Sequence, residues 1–167
     1  MKGLYTIGYE GAKLADFLAT LELFEMDVLL DVRELPLSRR KGFSKTALRE
    51  ALAVAGIVYR HEKMLGSPKL IRHQLRRDWN YQQFFRDFDE HLQQQTDVLV
   101  KLAAEIEGNV ALMCYERDHN SCHRTAVVNA LGELAGLQPR HLGVHEYAQR
   151  EAHRSANQNF GQSVSSA

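Results

Sequence analysis

The chain has 167 residues, 44% of them hydrophobic, and its 21 Lys and Arg are balanced by 21 Asp and Glu. That size suits one ordinary domain able to bury a core without disulfide or metal staples. No run approaches the roughly 18 apolar residues of a membrane span. Residues 1–11 lack the basic region and apolar run of a secretion signal, so a cytoplasmic protein is expected. Cys114 and Cys122 are the only cysteines, which excludes a disulfide scaffold and leaves a free, catalytic or metal-bound pair.

The zero net charge hides an asymmetry. Between Arg33 and Arg77, 12 Lys and Arg face only Glu34, Glu50 and Glu62, whereas residues 78–118 carry nine acids against Arg86, Lys101 and Arg117. Such a division is either a set of solvated faces or the footprint of an anionic partner.

In chain order, residues 4–9 mix β-branched and aromatic types before a glycine turn and predict a first strand. Leu14, Phe17, Leu18, Leu21 and Phe24 recur at helical spacing. Residues 28–32 form a compact apolar strand. Ser44 is placed to cap a helix bearing Leu48 and Leu52, which Gly56 ends. Residues 57–59 begin a third strand, and residues 62–80 read as a long connection with at most one short helix. Phe85, Phe88, Leu92, Leu99, Leu102 and Ile106 predict the longest helix, with Gln95 interrupting its stripe. Residues 109–115 hold a continuous apolar run, the mark of a strand covered on both faces and central in its sheet. Val127, Val128, Leu131 and Leu134 give a last helix closed by Gly136, and residues 141–144 a last strand. The domain is expected to span residues 1–147, with 148–167 as a flexible tail.

Strands alternating with helices imply an α/β fold: a mostly parallel sheet of about five strands with helices on both faces, a Rossmann-like three-layer arrangement. Ligands bind such sheets beyond the carboxyl ends of the strands, and the segments leaving these ends are polar. They offer Tyr9 and Glu10, then Asp31 and Arg33 running into Ser38 and Arg39, then His61, and finally the stretch from Glu116 to Arg124. Asp31, at the end of an apolar strand, needs a cation or backbone donor beside it. Arg33 and Arg39 supply planar forks for phosphate or carboxylate, with Arg40 and Lys41 as solvent-facing steering charges.

The most informative stretch is Cys114-Tyr115-Glu116-Arg117-Asp118-His119-Asn120-Ser121-Cys122-His123-Arg124. With Asn120 or Ser121 as helix cap, Cys122, His123 and Arg124 fall in a first helical turn, where free N–H groups favour an anion and a thiolate. Glu116, leaving a buried strand, is a candidate general base. Cys114, Cys122 and His123 are also three soft metal ligands, with His119, His61 or His141 as a fourth, although the spacing matches no standard zinc pattern. No resident cofactor is predicted. A phosphatase or rhodanese loop does not fit, because Asn120 stands six residues after Cys114 and Arg124 only two after Cys122. Neither a glycine-rich dinucleotide fingerprint nor a Walker loop is present.

Together these motifs, with Thr6 to Gly11, Asp31-Val32-Arg33, Pro36, Ser38-Arg39, Gly42-Phe43, Leu65-Gly66 and the Cys-His-Arg triplet, resemble a bacterial family, domain of unknown function 488, the YeaO-like proteins. The resemblance runs from about Leu4 to Val144 in the expected order. It implies a compact α/β domain with Tyr9, Glu10, Arg33, Ser38, Glu116, Cys122, His123 and Arg124 around one pocket, and it leaves the reaction open.

The expected function is therefore an enzyme, a hydrolase or transferase, acting on a phosphate-bearing or otherwise anionic ligand. Glu116, Cys122 and His123 are the catalytic candidates, and Tyr9, Glu10, Arg33, Ser38, Arg39 and Arg124 the binding candidates. The alternatives are a nucleic-acid-binding module using the basic segment with Tyr59 or Trp79 for stacking, and a redox- or metal-linked cysteine protein.

Overall fold

The computed structural model describes residues 2–145, and the expected tail from residue 148 lies outside them. The elements are β1 (Gly3–Gly8), α1 (Leu14–Leu23), β2 (Val28–Asp31), α2 (Lys45–Val54), β3 (Val58–His61), α3 (Lys69–Asp78), α4 (Tyr81–Gln93), α5 (Thr96–Glu105), β4 (Asn109–Cys114), α6 (Arg124–Ala135) and β5 (Arg140–Leu142). Short 3₁₀ turns cover Lys63–Leu65 and His119–Ser121. The five strands lie in the order β3-β2-β4-β1-β5, and every pairing is parallel. The expected three-layer α/β fold is therefore present, with β4 at the centre.

Strand alternation divides the core in two. On one face Ile7, Leu29, Ala111 and Met113 pack against Phe17 and Leu21 of α1 and Leu48 and Leu52 of α2. On the other, Leu4, Leu30, Val110 and Leu112 meet Phe88 of α4, Leu99 and Leu102 of α5, and Val127, Val128 and Leu131 of α6. Each of these side chains larger than alanine contributes about 1.5–3 kcal/mol through burial. Because side chains point to alternate faces along a strand, Cys114 shares the α4 to α6 side with Leu112, and Cys122 joins it there.

Two segments differ from expectation. The single long helix is two, α4 and α5, parted at Gln94 and the buried Gln95. The connection 62–80 contains α3, a full ten-residue helix with no buried residue. Its few apolar residues, Leu70, Ile71 and Leu75, are at most half-buried and interleaved with Arg72, Arg76 and Arg77, which leaves only a short stripe in the sequence.

This order builds a crevice. The chain leaves β1 and β2 towards α1 and α2 on one face, but leaves β4 towards α6 on the other. Since β4 lies between β2 and β1, its exit diverges from those of both neighbours, the situation in which parallel sheets bind ligands. The ends of the three strands bring Gly8 and Tyr9, Asp31 to Arg33, and Cys114 to Glu116 side by side. Val32 N–H donates to the Met113 carbonyl at 3.1 Å, and Tyr9 N–H to the Cys114 carbonyl at 3.3 Å.

Candidate functional site

On the β2 side of the crevice, Asp31 is wholly buried and meets the need for a partner fully. Arg33 donates to it from its backbone N–H at 3.1 Å, from Nε at 2.9 Å and from Nη2 at 2.7 Å, and the Tyr59 hydroxyl donates at 2.6 Å. Arg33 Nη1 donates to the Tyr9 hydroxyl at 3.0 Å and the Phe43 carbonyl at 2.8 Å. Tyr9 in turn stacks on Phe43 with ring centroids 4.4 Å apart. Four of the five guanidinium N–H groups are thereby spent inside the protein. Burial opposes the charge of Arg33, but the Asp31 pair outweighs it and raises the pKa of the guanidinium. Arg33 thus locks the ends of β1 and β2 together.

On the β4 side, two cysteines, a histidine and a glutamate meet. Cys114 ends β4, whereas Cys122 and His123 immediately precede α6. Asp118 caps the 3₁₀ turn by accepting from Asn120 N–H at 2.9 Å, and Ser121 belongs to that turn. The expectation that Asn120 or Ser121 caps the helix is therefore corrected: His123 occupies the cap position, and Cys122 is extended at φ −130°, ahead of the helix rather than in its first turn.

His123 Nε2 donates to the Val32 carbonyl at 2.8 Å, so Nδ1 is turned towards both sulfurs. It lies 3.7 Å from Cys114 Sγ and 4.0 Å from Cys122 Sγ. Cys114 Sγ also donates to Glu116 Oε2 at 3.2 Å, and Arg124 N–H donates to Cys122 Sγ at 3.5 Å. Phe88 covers the imidazole edge-on at 5.1 Å between centroids.

The electrostatics separate the two thiols. Burial opposes ionisation of Cys122, but hydrogen bonding from Cys114 and the charges of His123 and Arg124 hold its pKa well below the usual range. Hydrogen bonding to Cys122, burial and the nearby negative charges hold Cys114 well above it. Burial opposes protonation of His123, yet the Cys122 charge raises its pKa. Glu116 is pushed up to about 7 by burial and then by the Cys122 charge. Two thiols shifted in opposite directions, an imidazole and a carboxyl pushed up to about 7 thus share a confined space, an arrangement able to hold and move protons.

Arg124, only 1% exposed, is held by backbone oxygens: Nη1 donates to the Glu116 carbonyl and Nη2 to the Arg117 carbonyl at 3.4 Å. Its Nε has no partner. Gly8 makes this possible, because a Cβ there would collide with the Glu116 carbonyl and crowd Arg124 Nη1.

The remaining sequence candidates make no contact with the sulfurs or with His123 among the described residues. Glu10 is exposed and its Oε2 accepts from Arg117 N–H at 3.0 Å. Ser38 Oγ accepts from Arg40 N–H at 3.1 Å, while Arg39 is exposed. Arg40, expected to be wet, instead donates through Nε to the Ala12 carbonyl and is half-buried. Of the histidines considered as fourth metal ligands, His61 Nε2 donates to the Arg33 carbonyl at 2.7 Å and His141 Nδ1 pairs with the Thr6 hydroxyl at 2.7 Å, while His119 stacks on His141 at 3.6 Å with its own Nδ1 buried and without a hydrogen-bond partner.

Three members of the assembly are not among the catalytic or anion-binding candidates, although the sequence offers Tyr59 for base stacking and Cys114 as a metal ligand. Asp31 and Tyr59 complete the Arg33 lock, and Cys114 completes the sulfur pair. The signal for Cys114 was its place at the carboxyl end of the central strand.

The fold and this crevice define a parallel α/β protein with a buried Cys, His and Glu cluster beside a helix-initial arginine. Residues 13–131 match the family described as Domain of unknown function DUF488, and the chain belongs to that family. The matched span includes Arg33, Ser38, Arg39, Glu116, Cys122, His123 and Arg124, and leaves Tyr9 and Glu10 outside. No curated protein and no solved structure matches the chain.

Proposed function

We propose that the chain is an enzyme that binds an anionic, phosphate-bearing ligand at the crevice beside β4, with Glu116, Cys122 and His123 as its reactive groups and Arg124 as the partner of the anion. The observation that carries this reading is the state of Arg124. Its guanidinium is buried, its Nε is unpartnered, and among the described residues it forms no ion pair with a carboxylate. A buried guanidinium with an open donor and no carboxylate partner is costly. An anion at the start of α6 would offset that cost at the positive end of the helix dipole.

In this reading the Cys122 sulfur is the electron-rich atom of the site, and Glu116 gives or takes the proton. The reaction class is hydrolysis or group transfer. Tyr9 and Arg33 keep the opposite wall in place, and Glu10, Ser38 and Arg39 face the ligand from the rim.

Thermal unfolding in inorganic phosphate, compared with chloride at equal ionic strength, tests the reading. A ligand at 100 times its Kd contributes about 2.7 kcal/mol, so phosphate is expected to raise the midpoint of the native chain and not that of Arg124→Gln. Equal midpoints for the native chain in the two salts overturn it.

A second reading, a nucleic-acid-binding module, is favoured by α3. That helix buries none of its residues, ends in Arg76 and Arg77, and is followed by Trp79 at 64% exposure. Tyr59, the other stacking candidate, is half-buried with its hydroxyl bound to Asp31. Polynucleotide affinity that falls steeply with salt and survives loss of Glu116 and Cys122 selects this reading.

A further inference from the structure

We propose that Cys114 Sγ, Cys122 Sγ and His123 Nδ1 form a three-ligand site for a divalent transition ion of the zinc or ferrous type, with an open fourth position beside Glu116. The three atoms all lie within 4.8 Å of one another. Two ligands of a tetrahedral ion bound through sulfur and imidazole nitrogen stand about 3.6 Å apart. The Nδ1 to sulfur distances of 3.7 and 4.0 Å need only a small contraction to meet this value.

The orientation of His123 is the second support. With Nε2–H given to the Val32 carbonyl, the lone pair of Nδ1 is directed at the sulfurs. A metal-ligating histidine is held in the same way, its other ring nitrogen bound to a carbonyl or carboxylate. The ligands come from the end of a central strand, the cap of a twelve-residue helix and the residue just before that cap, so they are brought together by the fold before any ion arrives. Two sulfurs and an imidazole select a soft or borderline ion over magnesium or calcium.

Three protein ligands with one open position is the pattern of a catalytic rather than a structural ion. All three ligating residues are buried, and Glu116 Oε2 stands 3.2 Å from Cys114 Sγ. Glu116 is the proton acceptor for a water in the fourth position. The proposal deepens the enzymatic reading and rests on it only for what the ion does. With the ion bound, the Cys122 sulfur is its ligand, and the anionic ligand meets the ion instead.

Titration of the reduced full-length chain with cobalt(II), followed by absorption, tests the site. One equivalent is expected to bind with a sulfur-to-cobalt charge-transfer band and intense tetrahedral visible bands. Cys122→Ser and Cys114→Ser should each weaken the charge-transfer band about twofold, and zinc should displace the cobalt. Circular dichroism on each variant, together with the milder His123→Gln, separates lost ligation from lost folding. A folded native chain that binds no cobalt, or a band unchanged in the cysteine variants, overturns the proposal. The phosphate experiment, run on the cobalt-loaded and cobalt-free chain, keeps the two readings apart. Phosphate stabilisation through Arg124 without cobalt binding sinks the metal site alone, and cobalt binding without phosphate stabilisation sinks the anion reading alone.

Discussion

His123 ties the start of α6 to the end of β2: its Nε2 donates to the carbonyl of Val32 at 2.8 Å, across 91 positions of sequence. Both residues are buried, so the bond closes the crevice from below and sets the imidazole beneath the two sulfurs.

His123→Ala removes the donor and leaves the carbonyl without it, a loss of about 1–3 kcal/mol. His123→Gln, whose amide can approach the same oxygen, should lose less. Urea denaturation measures both, and equal losses would show that the Val32 bond contributes nothing.

Asp31 is the second point of leverage. Breaking a buried pair by removing one partner costs about 3–5 kcal/mol, so Asp31→Ala should be strongly destabilised, and Asp31→Ala combined with Arg33→Met should recover part of the loss. The Tyr59 phenol, held above its usual range by burial and then by its bond to Asp31, should ionise late in an alkaline absorbance titration and earlier in Asp31→Asn. Additive losses in the double variant would mean that the pair is not coupled.

Gly8→Ala should be disproportionately harmful for so small a change. The added methyl would strike the Glu116 carbonyl, and that carbonyl is what Arg124 Nη1 holds. Overpacking of this kind costs about 1–3 kcal/mol, and backbone cannot swing aside as a side chain can. A melting point within a degree of the native chain would contradict the close approach of β1 to the 116–117 segment.

His141 offers a pH dependence away from the sulfurs. Its pKa is lowered from 6.5 by burial, then by His119 stacked upon it and by Arg124. A group with a depressed folded value binds its proton more readily in the unfolded chain. Its contribution to stability is therefore present above 6.5 and is lost as pH falls towards the folded value. An NMR titration should find His141 below the ordinary histidine range, and His119→Asn should raise it. An unmoved value would remove His119 as a cause.

Much of this was legible in the sequence where burial leaves a pattern. β4 reads as central because Val110 to Met113 are covered on both faces, and α1 and α6 read as helices because each buries one stripe. The partner of Asp31 was required by the cost of a lone buried carboxylate, and Arg33 supplies it. The polar loop after β4 directed attention to Glu116, Cys122, His123 and Arg124. What could not be read depends on three dimensions. Helix α3 has no buried face, and the break at Gln94–Gln95 carries neither glycine nor proline. Whether Cys114 joins Cys122 depends on the phase of β4, one residue either way turning its sulfur to the α1 and α2 side. Nor does composition tell that Arg33 spends its donors within the protein while Arg124 leaves its Nε unpaired.

The placing of β4 between β2 and β1 has a further meaning for how the chain comes together. During synthesis β1, β2 and β3 emerge first, yet β1 and β2 share no hydrogen-bonded edge until residues 109–114 arrive to lie between them. The first hundred residues therefore cannot close the sheet by themselves, and the strand that bridges β1 and β2 is the one that carries Cys114. Long-range closure of this sort slows folding, and here the last strand to enter the middle of the sheet also delivers half of the sulfur pair. The crevice is in that sense a product of completion: no amino-terminal fragment ending before β4 can assemble it.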